Sequence, residues 1–138
     1  MLRKLSLTFF LALITGFGAM AQCDTIVQSC EKYMTAKYVS DGQSYRALLL
    51  DTETAEFQST FYGETTYRIS VCSSLPEGNI IFRILDKDRN VLFTNADQKN
   101  APYWDFKFLS TLDCMIEAQL TTGKAKSGCA VMLISFKQ

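Results

Sequence analysis

The chain has no histidine. That absence removes the side chain that most often moves protons near neutral pH, and with it Ser–His and Cys–His nucleophile pairs and most zinc sites. No C-x-x-C pair is present to build a zinc knuckle from cysteine alone. A Gly-rich phosphate loop and a G-x-S-x-G elbow are missing as well. Charge of one sign is not in excess, since 14 basic residues face 14 acidic ones. A phosphate backbone therefore meets no basic surplus, and nucleic acid is not an expected partner. Beyond residue 21 the longest apolar run is residues 130–134, far short of the roughly 20 residues a membrane-spanning helix needs. Binding, rather than catalysis, is what these exclusions leave.

What is present begins with an address. Arg3 and Lys4 open the chain, residues 5–17 are almost wholly apolar, and Ala19-Met20-Ala21 follows. Basic, apolar and small-residue zones in that order form a secretory signal over residues 1–21. Removing 21 of the 138 residues leaves 117, the size of one domain. A periplasmic or secreted location is expected. The mature part would carry a slight acidic excess, because both basic residues of the signal leave with it.

Cys23, Cys30, Cys72, Cys114 and Cys129 all lie in the mature part, and export makes disulfides the first reading. Five is odd, so at least one thiol stays unpaired within the chain. Cys23 is the expected odd one, two residues after the cut where a chain frays. A lipid on Cys23 would need a small residue just before it, and Gln22 stands there. Cys72–Cys129 is the favoured bridge, from strand ends expected at the same edge. Strand alternation leaves a rival open, in which Cys30 on the helix meets Cys72 and Cys114 is left with Cys129.

Periodicity divides the mature chain. Ile26, Cys30, Tyr33, Met34 and Lys37 fall on one face of a helix expected over residues 24–38, capped by Asp24 or Thr25. A segment 22–39 containing this helix would pack on a domain of residues 40–138. Ser40-Asp41-Gly42 reads as the turn after it. Strands are expected at 44–50, 55–62, 65–73, 80–85, 91–94, 103–109, 114–121 and 129–136, with turn residues between them. The last strand is apolar on both faces, with Cys129, Val131 and Leu133 opposing Ala130, Met132, Ile134 and Phe136. A sandwich strand needs one apolar face, so the helix is expected to cover the other. The expected fold is a mostly β, antiparallel β-sandwich, jelly-roll-like, of seven to eight strands with one N-terminal helix.

The run Gly78-Asn79-Ile80-Ile81-Phe82-Arg83-Ile84-Leu85-Asp86, then Val91-Leu92-Phe93 and Trp104-Asp105-Phe106, resembles the core of pre-peptidase C-terminal and GOLD-type sandwiches. Ser40-Asp41-Gly42-Gln43, Tyr103-Trp104-Asp105-Phe106 and Asp113-Cys114 resemble patches shared by a group of uncharacterised exported bacterial proteins. The resemblance covers most of residues 40–137. It implies an accessory or binding role with an envelope protein or a glycan, and it transfers no catalytic residue.

Candidate sites follow from chemistry. Trp104, Phe106 and Phe108 share the expected inward face of one strand; Tyr103, Asp105 and Lys107 share the outward face and form the candidate ligand site. A carbohydrate-binding module would use the Tyr103 ring there. Asp86, Asp88 and Asn90 place oxygen ligands at alternate positions, like the start of a calcium loop. Val91 stands where such a loop wants glycine, however, and a hairpin connection explains the segment without a cofactor. A carboxylate-based hydrolase would draw on Asp41, Asp51, Glu53, Glu56, Asp105 and Glu117. Acids on outer strand faces are usually only solvated.

Overall fold

The computed structural model describes residues 18–75, 79–121, 123 and 126–138, with side chains from Cys23 onward. Most of the expected signal, and most of the turn at residues 76–79, lie outside the described residues. Helix α1 spans Gly18–Glu31. The strands are β1 Tyr38–Leu50, β2 Thr54–Phe61, β3 Thr65–Ser73, β4 Ile80–Leu85, β5 Val91–Thr94, β6 Tyr103–Phe108, β7 Leu112–Leu120 and β8 Ser127–Lys137.

Alternating side chains give each strand one face to bury, and two four-stranded sheets bury them against each other. The orders are β1-β8-β3-β6 and β2-β7-β4-β5, with every pair antiparallel. These are the interleaved orders of a jelly roll. Consecutive strands sit in opposite sheets except β4 and β5, which form a hairpin. Phe61, Ile69, Phe82, Ile84, Ile116, Leu120, Met132 and Ile134 fill the space between the sheets. Phe61 stacks on Phe108 at 4.5 Å between ring centroids, with the edge of Tyr67 against both.

The doubly apolar β8 is central in its sheet, and α1 covers its outer face, as expected. Val131 and Leu133 pack with Cys30 against Ile26, Val27 and Met34. The helix itself lies earlier than residues 24–38. Tyr38 and Val39 pair with Lys137 and Phe136, so the sheet claims residues that helical periodicity would have kept. The chain leaves the helix through a turn in which the Met34 N–H donates to the Glu31 carbonyl. Ser40-Asp41-Gly42 is not a turn between elements but a bulge inside β1. Pairing shifts between Ser40 and Ser44; Ser40 Oγ accepts the Gly42 N–H, and Asp41 Oδ1 accepts that of Gln43. Gly42 takes a φ of 85° there, which glycine adopts without steric cost.

The cysteines depart most from expectation. Cys23 bonds Cys129 and Cys30 bonds Cys72, with Cα separations of 5.4 and 5.5 Å. Cys114 is the free, buried one. The favoured Cys72–Cys129 pair is therefore wrong, and so is Cys114–Cys129, while the rival Cys30–Cys72 bridge is present. Cys129 shares the helix-covered face with Val131, not the core face. Cys114 faces the core from β7, in the other sheet. Cys23 and Cys30 lie seven residues apart, two helical turns, so both sulfurs point down onto the sheet. A sulfur bonded to Cys129 is not available for a lipid thioether.

Candidate functional site

The outer face of β6 carries the Tyr103, Asp105 and Lys107 set. β6 runs beside β3, which places Arg68 directly opposite Asp105. Their side chains form a two-pronged ion pair, Nε–Oδ1 2.7 Å and Nη2–Oδ2 2.9 Å. Arg68 Nη1 also donates to the Tyr33 carbonyl at 2.8 Å. The guanidinium lies 4.3 Å from the Tyr38 ring centroid and 4.5 Å from that of Tyr103; Tyr33 in turn meets Tyr103 at 5.3 Å. Arg68 is left only 11% exposed. Its hydrogen bonds to Asp105 hold that carboxyl below the ordinary carboxylate range, and burial pushes the Tyr38 phenol up. The cluster is a closed clamp joining the chain after α1 to the sheet. Lys107 stands outside it, 3.9 Å from Glu64. Sequence reading found Tyr103 and Asp105 but missed Arg68, Tyr33 and Tyr38, because the β3–β6 pairing that joins them has no local signal.

Trp104 does not reach the core as expected. β6 is a sheet edge, so its inward face opens toward solvent at Trp104, whose ring stacks on Phe93 at 5.5 Å. Phe108, further along, is buried.

The acidic candidates do not gather. Glu56 and Glu117 are cross-strand partners, yet Arg89 Nη2 bonds both, at 2.9 and 2.6 Å, and Arg83 stands 3.9 Å from Glu117. Arg89 thus bridges the two carboxylates, and Arg83 adds a second positive charge beside Glu117. Asp51 accepts the Gly123 N–H and Glu53 that of Leu50. Burial pushes the Asp41 carboxyl up, within the β1 bulge. In the β4–β5 turn, Asp86 accepts the N–H groups of Asp88 and Asn90 at 2.9 and 2.8 Å, and the Asn90 amide at 2.9 Å. These bonds hold its carboxyl below the ordinary range. Both oxygens are committed to the hairpin. Among the described residues, no group of three Asp, Glu or Cys side chains is placed to hold a metal ion.

Two features had no forewarning. At one end of the sandwich, the β2–β3 and β6–β7 loops touch. The Gly63 N–H donates to Thr111 Oγ1, and that of Glu64 to the Phe108 carbonyl at 2.7 Å. A Cβ on Gly63 would lie 3.0 Å from the Ser110 backbone, so any side chain there would have to push the two loops apart by a few tenths of an ångström. Beside this contact Tyr62 and Leu109 on the loops, and Leu112 at the start of β7, have 64%, 76% and 38% of their surfaces exposed. Large apolar side chains left this exposed are a feature of interaction sites.

At the other end of β3, the C-terminal turn of α1 overhangs a cleft of about 250 Å³ lined in part by Ser29, Lys32, Tyr33, Ser73, Asn79 and Asn100. Its wall is set by Asn95, fully buried at the start of a 3-10 turn, Asn95–Gln98. Asn95 accepts the Phe82 N–H and donates to the carbonyls of Ile80 and Ala101. Lys99 and Asn100 follow with left-handed φ values of 56° and 54°.

The order of strands defines a jelly-roll sandwich with a disulfide-held helical cover. Among solved structures, the chain is similar to the periplasmic inhibitor of g-type lysozyme PliG from Aeromonas hydrophila. The TM-score is 0.55 at 10% identity, over 75% of this chain and 92% of that one. At that identity the likeness is one of fold. No family model matches the chain, and no curated protein matches its sequence.

Proposed function

We propose that this protein is an exported, non-catalytic binding domain that engages a protein of the cell envelope through the Tyr62–Leu109–Leu112 tip. The observation that carries the reading is the tip itself: Tyr62 and Leu109 exposed on two loops joined by the Gly63–Thr111 and Glu64–Phe108 hydrogen bonds, with Leu112 exposed at the start of β7. Rigid anchors lose little conformational entropy on binding, so more of their burial becomes affinity. Export is supported by the signal-like order of residues 1–21 and by two disulfides, which persist in oxidising compartments. A non-catalytic role is supported by the lack of histidine and by acids already held in ion pairs and turns.

The specific form proposed is inhibition of a cell-wall-degrading enzyme, since PliG, whose fold this chain resembles, is itself a lysozyme inhibitor. The oxidised protein should slow hydrolysis of cell-wall glycan by a g-type lysozyme. A Tyr62→Asp, Leu109→Asp double variant, both sites being exposed, should keep its melting temperature and lose inhibition more than about tenfold, the loss of one or two anchor contacts. Absence of inhibition at a large molar excess would remove the lysozyme form. Undiminished inhibition by the variant would remove the tip.

A further inference from the structure

We infer that β6 is the pairing edge of a symmetric dimer, in which β6 of a second copy of this chain adds antiparallel to it. Pairing runs over Trp104–Phe108 and stops short of Leu109, so the binding reading of the tip stands or falls separately.

Each sheet ends in two strands with one unpaired side, β1 and β6 in one, β2 and β5 in the other. Such edges invite another strand unless they are blunted. β1 is bulged between Ser40 and Ser44. β5 is four residues long, beside a register shift at Ile84–Leu85. β2 presents no large apolar side chain to solvent. β6 has none of these protections. It pairs with β3 without a bulge from Phe108 back to Tyr103, contains neither proline nor glycine, and leaves Tyr103 and Trp104 exposed.

The backbone on the open side is ready to pair. The Val71 N–H donates to the Pro102 carbonyl and the Glu64 N–H to that of Phe108, so the even-numbered residues turn their backbone groups toward β3. Alternation then points the N–H and C=O of Tyr103, Asp105 and Lys107 out of the edge.

Charge selects the register. Of the two-fold registers that overlap most of the strand, one is centred on Asp105 and opposes two carboxylates. The other is centred on Phe106 and sets Asp105 against Lys107 of the second copy, and Lys107 against its Asp105. Those residues have edge-facing backbone, and each such pair exchanges two hydrogen bonds. On the opposite face the same register aligns Phe106 with itself and Trp104 with Phe108, cross-strand aromatic pairs that stabilise a sheet. Asp105 already holds Arg68 through both oxygens, and Lys107 stands 3.9 Å from Glu64 with both side chains well exposed. The charges therefore set register, while backbone bonds and rings supply the strength.

An edge this short buries less than the roughly 1,200 Å² of a stable complex, so half association is expected at about 10–100 μM. Sedimentation of the oxidised protein, from well below to about tenfold above that range, should pass from monomer to dimer. Amide exchange at Asp105 and Lys107 should slow over the same range, while amides of β1, β2 and β5 keep their rates. Emission from Trp104, the single tryptophan, should shift to the blue. Lys107→Pro removes an N–H that points out of the edge, where proline is tolerated, and should weaken association more than about tenfold with the melting temperature kept. Lys107→Asp, which opposes two carboxylates, should weaken it too, and less so at high salt. Should the proline variant fail to fold, Lys107→Asp and the wild-type exchange rates decide. A monomer at the highest concentration, protection on a different edge, or undiminished association of the folded Lys107 variants would each overturn the assignment.

Discussion

Arg68 shows how a single charged residue can hold two parts of a fold together. A guanidinium this shielded is costly unless its donors are satisfied, and Asp105, the Tyr33 carbonyl and two tyrosine rings satisfy it. The pair contributes to stability in a pH-dependent way. Arg68 lowers the carboxyl pKa of Asp105 in the folded protein. The stabilisation is therefore complete above the unfolded carboxylate value of about 3.9, and is lost as pH falls through the lower folded value. Asp105→Asn should cost about 1–2 kcal/mol at pH 7, the lower part of the range for a charged hydrogen bond because Asp105 is partly exposed. The gap between variant and wild-type urea midpoints should be smaller at pH 3 than at pH 7. A gap of equal size at both pH values would show that the charge of Asp105 is not what matters. Tyr103 and Asp105 were legible as an outward-facing pair from strand alternation alone; Arg68 was not, since it lies 37 residues away in sequence.

At the scale of elements, the helix and β8 explain each other. An apolar stripe on an isolated helix this short is not stable in water, and a strand apolar on both faces cannot stand exposed. Each buries the other, and two disulfides keep them in place. Chain-entropy arguments assign about 2–4 kcal/mol to a typical bridge. Reducing both, or making Cys30→Ser, should lower the melting temperature and loosen the Val131–Leu133 face, seen as faster hydrogen exchange in β8. Thiol titration of the oxidised protein should find one reactive group, and only after denaturation, because Cys114 is buried and burial pushes its thiol pKa up. Two or more accessible thiols in the native protein would contradict this pairing. The existence of the helix and what it covers could be read from periodicity. Its ends could not, because the sheet competes for Tyr38 and Val39.

For the whole molecule, the interleaved strand order makes the last strand indispensable. β8 lies between β1 and β3, hydrogen-bonded to both, and its inner face supplies Ala130, Met132 and Ile134 to the core. A chain ending at Gly128 should fail to fold, giving collapsed amide dispersion and no cooperative melting transition. A folded truncation would mean that the sheet closes without its centre. The same order delays folding, since β1 cannot pair with β8 until nearly the whole chain is available, and non-local pairing of this kind is slow.

The sequence by itself determined the strand segments, the mostly β class, the covering role of the helix and the absence of imidazole chemistry. Each of these follows from residue type or from a period of two or 3.6, quantities that neighbouring positions carry. Tertiary structure alone decided the disulfide pairing, the Arg68 clamp, the Gly63-locked tip and the Asn95-braced cleft. Each depends on which strand lies beside which, and in a jelly roll the neighbours are set by the packing of two sheets, between segments remote along the chain.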